Sequence, residues 1–425
     1  MDRMFKFLHA ADLHLDSPLQ GLPVYEGAPV EQIRVAARRA LIKLVDLSIS
    51  QSVAFLLIAG DVYDGSWKDY NTGHFFNAQM GRLRDAKIPV FLIRGNHDSQ
   101  SEITRTLRLP DNVIELSTDK PQTIRLDAFN VSIHGQGFAD REVKQNLVSG
   151  YPPADRGMLN IGMLHTSCTG REGHATYAPC SLEDLRLLEY DYWALGHIHT
   201  REQLAGDPWI IFPGNLQGRH IRECGAKGAT LVTVSDGTIR SVQHHDLDVL
   251  RWELCRVNAG NAADAEEVLA RLDAEIQQHC AAAEGRPLAM RVVVEGVCQA
   301  HDQLTGDIEQ WKQEARSVAT TVGGGKVWIE QVKIRTTAPT VGASAGETDG
   351  LEVDLAAVLA ELAQNDELLD KAAPELADLG KRLPRDLQIG SDAIALADRN
   401  YLRQLLSEVR EALLPQARSA GEAGQ

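Results

Sequence analysis

Five short polar segments recur along the first half of the chain, each at the end of a hydrophobic run: Asp12-Leu13-His14, Gly60-Asp61-Val62-Tyr63-Asp64, Gly95-Asn96-His97-Asp98, His165, and Gly196-His197-Ile198-His199. The runs at residues 5–10, 53–59, 89–93 and 160–164 are short, apolar and bounded by glycine or polar residues, the pattern of buried strands. Between the early runs the spacing predicts helices over 30–49 and 70–85, and helical crossovers imply a largely parallel layer there. Open sheets of that kind bind ligands just beyond the carboxyl ends of their strands. The five segments sit at those ends.

Spacing within each segment adds geometry. Asp12 and His14 are two apart, so in extended backbone both side chains leave one face and can converge on one ion. His197 and His199 repeat that spacing, and could equally straddle two ions about 3.5–4 Å apart, the separation of two-metal hydrolytic sites. A carboxylate must then bridge the pair, and Asp61 is the candidate. Gly60 and Gly95 each precede a proposed ligand, where a side chain would obstruct a sharp turn and close backbone approach.

The ordered pattern Asp-x-His, Gly-Asp-x-x-Asp, Gly-Asn-His-Asp, His, Gly-His-x-His resembles that of the calcineurin-like metallophosphoesterase superfamily. The resemblance implies an α/β (α+β) fold, the four-layer sandwich of that family, to which the later sequence pattern adds a small α+β cap domain and a helical C-terminal tail. It also implies that one divalent ion is held by Asp12, His14, Asp61 and His199, and a second by Asp61, Asn96, His165 and His197. In the family the counterpart of His97 is not a ligand; it faces the leaving group as an acid or stabilises charge on the phosphoryl group.

Elementary chemistry accounts for these residue types. A phosphate ester is anionic and resists attack; two dications neutralise and orient it and lower the pKa of a bound water from about 15.7 toward 7. His97, if protonated, meets the charge that develops on the departing oxygen. Asp64 is placed to orient that imidazole and hold its proton, although an Asp after a strand can also simply cap the next helix. Mixed carboxylate, amide and imidazole donors favour Mn²⁺, with Fe²⁺ or Zn²⁺ as alternatives. His9, His74, His134, His174, His244 and His245 read as packed or solvated.

Finer features bear on the substrate. Phosphoprotein phosphatases of the superfamily place Arg-Gly after the second carboxylate of Gly-Asp-x-x-Asp; here Gly65 follows Asp64, and His97 is followed by Asp98 rather than Glu. The stretch 212–222, Phe-Pro-Gly-Asn-Leu-Gln-Gly-Arg-His-Ile-Arg, with 227–234 after it, resembles the SbcD-type DNA repair nucleases, most closely their YhaO-like branch. That motif resemblance runs over residues 5–245. Many SbcD-type nucleases carry His at the position of Asp64, which leaves exonuclease and endonuclease action both open. Arg219, His220 and Arg222 could meet DNA phosphates or form a salt-bridged hairpin.

At 425 residues the chain should hold two or three domains. The expected division is a nuclease domain over 1–248, an α+β cap over 249–335 with order β-α-β-α-β, a Thr/Ala/Gly/Ser-rich linker over 336–350, and a helical region over 351–425. The cap's elements are expected at 251–257, 263–280, 288–295, 302–315 and 326–334. A net charge of −16 has the wrong sign for a free-standing nucleic-acid binder and calls for a basic partner that grips DNA. Six dispersed cysteines without a CxxC pair indicate neither a zinc ribbon nor a disulfide framework and suit a reducing cytoplasm. No signal-peptide pattern opens the sequence, and no apolar run approaches the roughly 20 residues that span a membrane.

The tail carries amphipathic patterns over 352–370 and 400–414, and residues 351–415 hold 13 acidic against 7 basic side chains. Such a segment suits docking into the groove of another protein, and folding back on the cap domain is the alternative. By resemblance the partner is the coiled-coil base of an SMC-like ATPase of the SbcC or YhaN type, and homodimerisation through the helix at 70–85 is a further expectation. The sequence therefore points to a cytoplasmic, metal-dependent phosphodiesterase acting on DNA as the nuclease subunit of a bacterial repair complex. The alternatives are a phosphomonoesterase or nucleotide phosphatase with the same metals, and a regulatory scaffold for the ATPase.

Overall fold

The structure is a computed structural model and describes residues 4–17, 29–64, 70–100, 107–168, 177–339, 358–382 and 394–409, apart from 360, 397, 404, 407 and 408. The expected linker over 336–350 lies outside the described residues from 340 onward, as do His174, Gly65, the start of the 352–370 segment and the end of the 400–414 segment. The chain divides into two compact units. The first comprises Met1–Leu254 with His279–Arg291 and Gly323–Glu330; the second comprises Cys255–Gln278, Val292–Val322 and Gln331–Gln425.

In the first unit the chain runs through β1 (Met4–Ala10), α1 (Val30–Ser50), β2 (Phe55–Ile58), α2 (Tyr70–Asp85), β3 (Val90–Leu92) and β4 (Val113–Glu115). It continues through β5 (Gln122–Leu126), β6 (Val131–Gln136), β7 (Leu159–His165), α3 (Leu182–Arg186), β8 (Tyr192–Gly196), β9 (Glu202–Gly206), β10 (Trp209–Phe212), β11 (Gly228–Ser235) and β12 (Thr238–Asp246). Two six-stranded sheets result, ordered β12-β11-β1-β2-β3-β4 and β5-β6-β7-β8-β10-β9. β1, β2, β3 and β4 are parallel, with α1 and α2 as the crossovers between the first three, and so are β6, β7 and β8.

Both faces of the early strands are buried, which is why they read as unbroken apolar runs rather than alternating ones. Leu8, Ala10, Leu56, Ile58, Val90 and Leu92 pack outward with α1 and α2, which contribute Ala40, Leu41, Leu44, Phe76 and Met80. Phe7, Phe55, Leu57 and Phe91 point the other way, onto Ile133, Ile161, Met163 and Tyr192 of the second sheet. A third apolar cluster, with Trp193, Leu195 and Leu185 of α3, covers the far side of that second sheet. The order helix, sheet, sheet, helix is the four-layer α/β arrangement expected from the sequence. α1 carries Ile33, Ala37, Ala40, Leu44 and Ser48 on one buried stripe at helical spacing.

One polar group joins the two sheets inside this core. His9 of β1 is fully buried, and its Nδ1 and Nε2 lie 3.0 Å from Tyr192 Oη and 3.1 Å from the Leu195 carbonyl of β8. The carbonyl can only accept, so Nε2 carries the proton and the Tyr192 hydroxyl donates to Nδ1. His134 is likewise packed, between Thr123 and Asn160 with its ring stacked on Tyr190, and neither residue is a ligand.

Later in the chain β13 (Arg251–Asn258), β14 (Leu288–Val297) and β15 (Val327–Thr337) form a three-stranded sheet in that order. They alternate with α4 (Ala265–Ala282), α5 (His301–Gly306) and α6 (Ile308–Val322). The single helix expected over 302–315 is two, because the chain leaves helical backbone at Asp307, whose Oδ1 then accepts from Gln310 N and caps α6. α6 buries Trp311, Ala315 and Ala319 four residues apart. In the tail the helix expected over 352–370 is interrupted at Asn365; its Oδ1 accepts from Glu367 N and Leu368 N and starts α7 (Asp366–Arg382). Among the described residues no helix is long and apolar enough to cross a membrane, and all six cysteines are free.

Burial depresses the His9 pKa from 6.5 to about 3, partly opposed by the Leu195 carbonyl. Between those two values the unfolded chain binds a proton that the folded one does not, so His9 costs stability as pH falls from about 6.5 toward 3. Urea unfolding should lose up to about 1.4 kcal/mol per pH unit from this group. His9→Gln, compared with wild type so that shared titrations cancel, should flatten the slope; parallel slopes would show that His9 is not buried neutral.

Candidate metal centre

The five polar segments meet at the carboxyl ends of β1, β2, β3, β7 and β8. Their backbones are tied before any side chain is considered: Asp12 N donates to Gly60 O and His14 N to Asp61 O, each at 3.0 Å. The loops are tight enough that Asp12, His14, Asp61 and His197 all adopt positive φ, at 53°, 43°, 54° and 100°. Such backbone is uncommon outside glycine, costs on the order of 1–3 kcal/mol per residue, and clusters at functional sites. Glycine supplies the room. A Cβ on Gly95 would lie 2.2 Å from Asp61 Oδ1, one on Gly60 2.5 Å from His165 Nδ1, and one on Gly196 1.9 Å from the Ala59 carbonyl oxygen.

The seven sequence-predicted metal ligands lie together at these strand ends, Asp12, His14, Asp61, His165 and His199 with donor atoms close enough to share an ion. Asp12, His14, Asp61, Asn96 and His165 are at most 3% exposed. Donor atoms of Asp12, His14 and His199 lie within 4.8 Å of one another, as do those of Asp12, Asp61 and His165. His14 Nε2 and His199 Nε2 are 3.1 Å apart, and His165 Nε2 is 3.0 Å from Asn96 Oδ1 and 3.4 Å from Asp61 Oδ2. His197 stands one step back: its amide donates to both oxygens of Asp12 at 3.1 and 3.0 Å, and its ring centroid is 5.3 Å from that of His165.

The electrostatics fit a cation. Burial pushes the Asp12 carboxyl up to about 6, with Asp61 adding to the shift and His199 and His165 opposing it. Burial first, then the charge of Arg219 and the neighbouring His199, keep His14 well below its usual value and therefore a neutral donor. Burial alone would lower His165, but the Asp61 charge raises it to about 9, so these carboxylates draw positive charge into the space they share. Hard oxygens with imidazoles, which ligate once deprotonated, suit a borderline or hard divalent ion, and the residues present fit a pair of such ions.

His97 and Asp64 occupy the rim. His97 Nδ1 lies 2.6 Å from Asp64 Oδ1, and its side chain is 34% exposed, whereas Asp12, His14, Asp61, Asn96 and His165 are buried. Burial lowers the His97 pKa, but the hydrogen bond to Asp64 and the charges of Asp61 and Asp64 outweigh it and the net shift is upward. Asp64 is itself fixed by the Ser17 hydroxyl. Asp98 is not at the rim; buried, it accepts from Tyr63 N and Gly95 N at 3.0 and 3.1 Å and clamps the β2 and β3 loops together.

Two residues behind the site carry more weight than the sequence suggested. Glu223 accepts at 2.7 Å from His199 Nδ1, which fixes the tautomer that leaves Nε2 facing His14. It also receives Asn215 Nδ2, Arg219 N and Arg219 Nη2, each at 2.8 Å. Arg219 thus takes the salt-bridged alternative, with its Nη1 3.6 Å from Asp64. The clue was Glu223 four residues after Arg219, a spacing that pairs opposite charges in one turn. Carboxylates that orient a ligating imidazole are typically worth about 10–100-fold in metal affinity. Glu223→Gln should weaken metal binding by that factor in titration calorimetry while the folded circular-dichroism spectrum persists; unchanged affinity would reduce Glu223 to a structural role.

Comparison with known proteins fits this geometry. Residues 5–201 match the family described as calcineurin-like phosphoesterase, and residues 252–337 match that described as metallophosphoesterase YhaO, middle domain. Over 294 residues the chain is 33% identical to an uncharacterized metallophosphoesterase YhaO of Bacillus subtilis, covering 68% of this chain and 71% of that one. Over 274 residues it is 25% identical to the DNA double-strand break repair protein Mre11 of Sulfurisphaera tokodaii, covering 60% of this chain and 66% of the other. A solved dimetal phosphatase from Danio rerio aligns over 57% of this chain and 99% of its own, with 11% identity and a TM-score of 0.34. With its donors at strand ends and its similarity to YhaO, the chain belongs to the calcineurin-like metallophosphoesterases.

Proposed function

We propose that this metallophosphoesterase hydrolyses phosphodiester bonds of DNA, as the nuclease subunit of a repair complex. The observation that carries the reading is the His97–Asp64 pair, an imidazole held at 2.6 Å by a carboxylate and facing outward from the buried donors. Asp12, His14, Asp61 and His199 would hold one divalent ion and Asp61, Asn96, His165 and His197 the other, with Mn²⁺ the ion the donor set favours. Bound there, the ions supply Lewis acidity toward the phosphate and lower the pKa of an attacking water.

The chain's own residues do the rest. With Nδ1 engaged by Asp64, the acidic proton of His97 is at Nε2, positioned for the oxygen that leaves the phosphorus. The hydrogen bond and charge of Asp64 shift His97 upward and so favour its protonated form, and Asp64 holds the ring through the transfer. Arg219, locked by Glu223, adds a fixed positive charge within 3.6 Å of Asp64. A leaving group that needs protonation is an alkoxide such as a deoxyribose oxygen, and similarity to a double-strand break repair protein supports DNA as its source.

Purified protein with Mn²⁺ should cleave linear DNA, and His97→Ala should slow that cleavage by about 10²–10⁴-fold without changing bound metal. Robust phosphate release from mononucleotides with no attack on DNA would contradict the reading and favour the phosphomonoesterase alternative. We further propose that the C-terminal helices dock on an SMC-like coiled-coil ATPase. Leu368 and Leu379 of α7, exposed at 41% and 55%, support that reading. Deleting the residues after 350 should abolish co-purification with such an ATPase and spare hydrolysis of a small diester; retained binding would move the interface elsewhere.

A further inference from the structure

The segment that leaves β1 carries a third polar residue beyond its two proposed ligands. Asp12, His14 and Asp16 alternate along it, and all three have positive φ, at 53°, 43° and 53°. Leu13 and Leu15, between them, belong to the apolar core that α1 and α2 help to build. The amides of Asp12, His14 and Leu15 each donate at 3.0 Å to the carbonyls of residues 60–62, which ties the segment to the β2 loop. Asp12 and His14 bring donor atoms together with His199, whereas the carboxylate of Asp16 is bound by the two helices.

Arg38 Nε of α1 donates to Asp16 Oδ1 and Oδ2 at 2.8 and 2.9 Å, and Arg38 Nη2 donates to Oδ2 as well. From α2 the hydroxyl of Thr72, a fully buried residue, donates to the same Oδ2. Arg38 is also held over the ring of Phe75, its guanidinium carbon 5.0 Å from the centroid. Thr72 and Phe75 are three apart on α2 and so share a face. The Asp16 side chain is 13% exposed, which withdraws most of the ion pair from solvent.

Glycine would adopt φ near 50° without steric strain. Asp16 bears that strain, and what it adds is a carboxylate with several charge-assisted bonds of fixed direction. Those bonds lie two residues beyond His14, and the Ser17 amide closes a turn back onto the His14 carbonyl at 3.2 Å. We propose that Asp16 is a positioning residue for the metal centre: through Arg38 and Thr72 it anchors the His14 loop to α1 and α2, and holds Asp12 and His14 in the strained backbone that presents both to one ion. The inference rests on the assignment of those two residues to a single divalent ion and is independent of the substrate. Asp16 acts through the backbone, not as a ligand. Released from the helices, the loop relaxes toward ordinary backbone, so ion binding has to restore the ligand geometry and weakens.

Asp16→Asn tests this with little change of shape, because Asn also tolerates positive φ and can accept from Thr72 while losing the ion pair. Mn²⁺ titrated calorimetrically into metal-free full-length protein should show one of two sites weakened about tenfold in this variant, with the other retained. Arg38→Met should weaken the same site, and it carries the test if Asp16→Asn fails to fold. The double variant should be no weaker than either single one, since the pair acts as a unit. Hydrolysis of bis(p-nitrophenyl) phosphate by Asp16→Asn should recover as Mn²⁺ is raised. His14→Ala, which removes a proposed ligand, should abolish the site that Asp16→Asn weakens. Wild-type Mn²⁺ affinity in folded Asp16→Asn and Arg38→Met, alongside a lost site in His14→Ala, overturns the positioning role alone; wild-type affinity in His14→Ala overturns the ligand assignment beneath it.

Discussion

Two buried carboxylates, Asp12 and Asp61, set the terms for the rest of the first unit. Each is about 1% exposed, in a space bordered by imidazoles, and among the described residues no lysine or arginine is bonded to either. Burial penalises the charge of both: it pushes Asp12 up to about 6, while in Asp61 it is outweighed by the charge and hydrogen bond of His165, which hold that carboxyl well below its usual range. A dication relieves that penalty. The same oxygens also accept backbone donors, Asp12 from His197 N and Asp61 Oδ1 from His97 N at 2.9 Å, so the groups that attract a cation also order the loops around it. Metal binding and local folding are thereby linked.

The sandwich is what allows such a site to form. Donors from five strands come from two different sheets, and they meet because bonds cross between the sheets: His165 Nδ1 to the Ala59 carbonyl at 2.9 Å, His9 to Tyr192, and the amide of His197 to Asp12. The positive-φ loops store strain that the apolar layers on either side can bear, and the glycines at 60, 95 and 196 mark where backbone and ligand approach too closely for any side chain.

Much of this was legible in the sequence because its signals are local. The early strands read as continuous apolar runs, since both their faces are buried, and α2 occupies the predicted range of 70–85. The residues proposed to hold metal stood out because few side-chain types can serve such a site, and the fold brings them together at the strand ends. What escaped was long-range. Glu223 belongs to a turn 24 residues beyond His199, and nothing before folding says that its carboxylate will lie behind that imidazole. The breaks at Asp307 and Asn365 were missed for a different reason: an Asp or Asn within an amphipathic pattern can be a solvated helical residue or a cap, and only its hydrogen bonds decide.

The central claim is that Asp61 stands between two divalent ions held by residues from both sheets. Anomalous diffraction at the manganese edge from crystals grown with Mn²⁺ tests it most directly. Two peaks about 3.5–4 Å apart are expected, one on each side of the Asp61 carboxylate. A single peak, or two that leave Asp61 uncoordinated, would contradict the account.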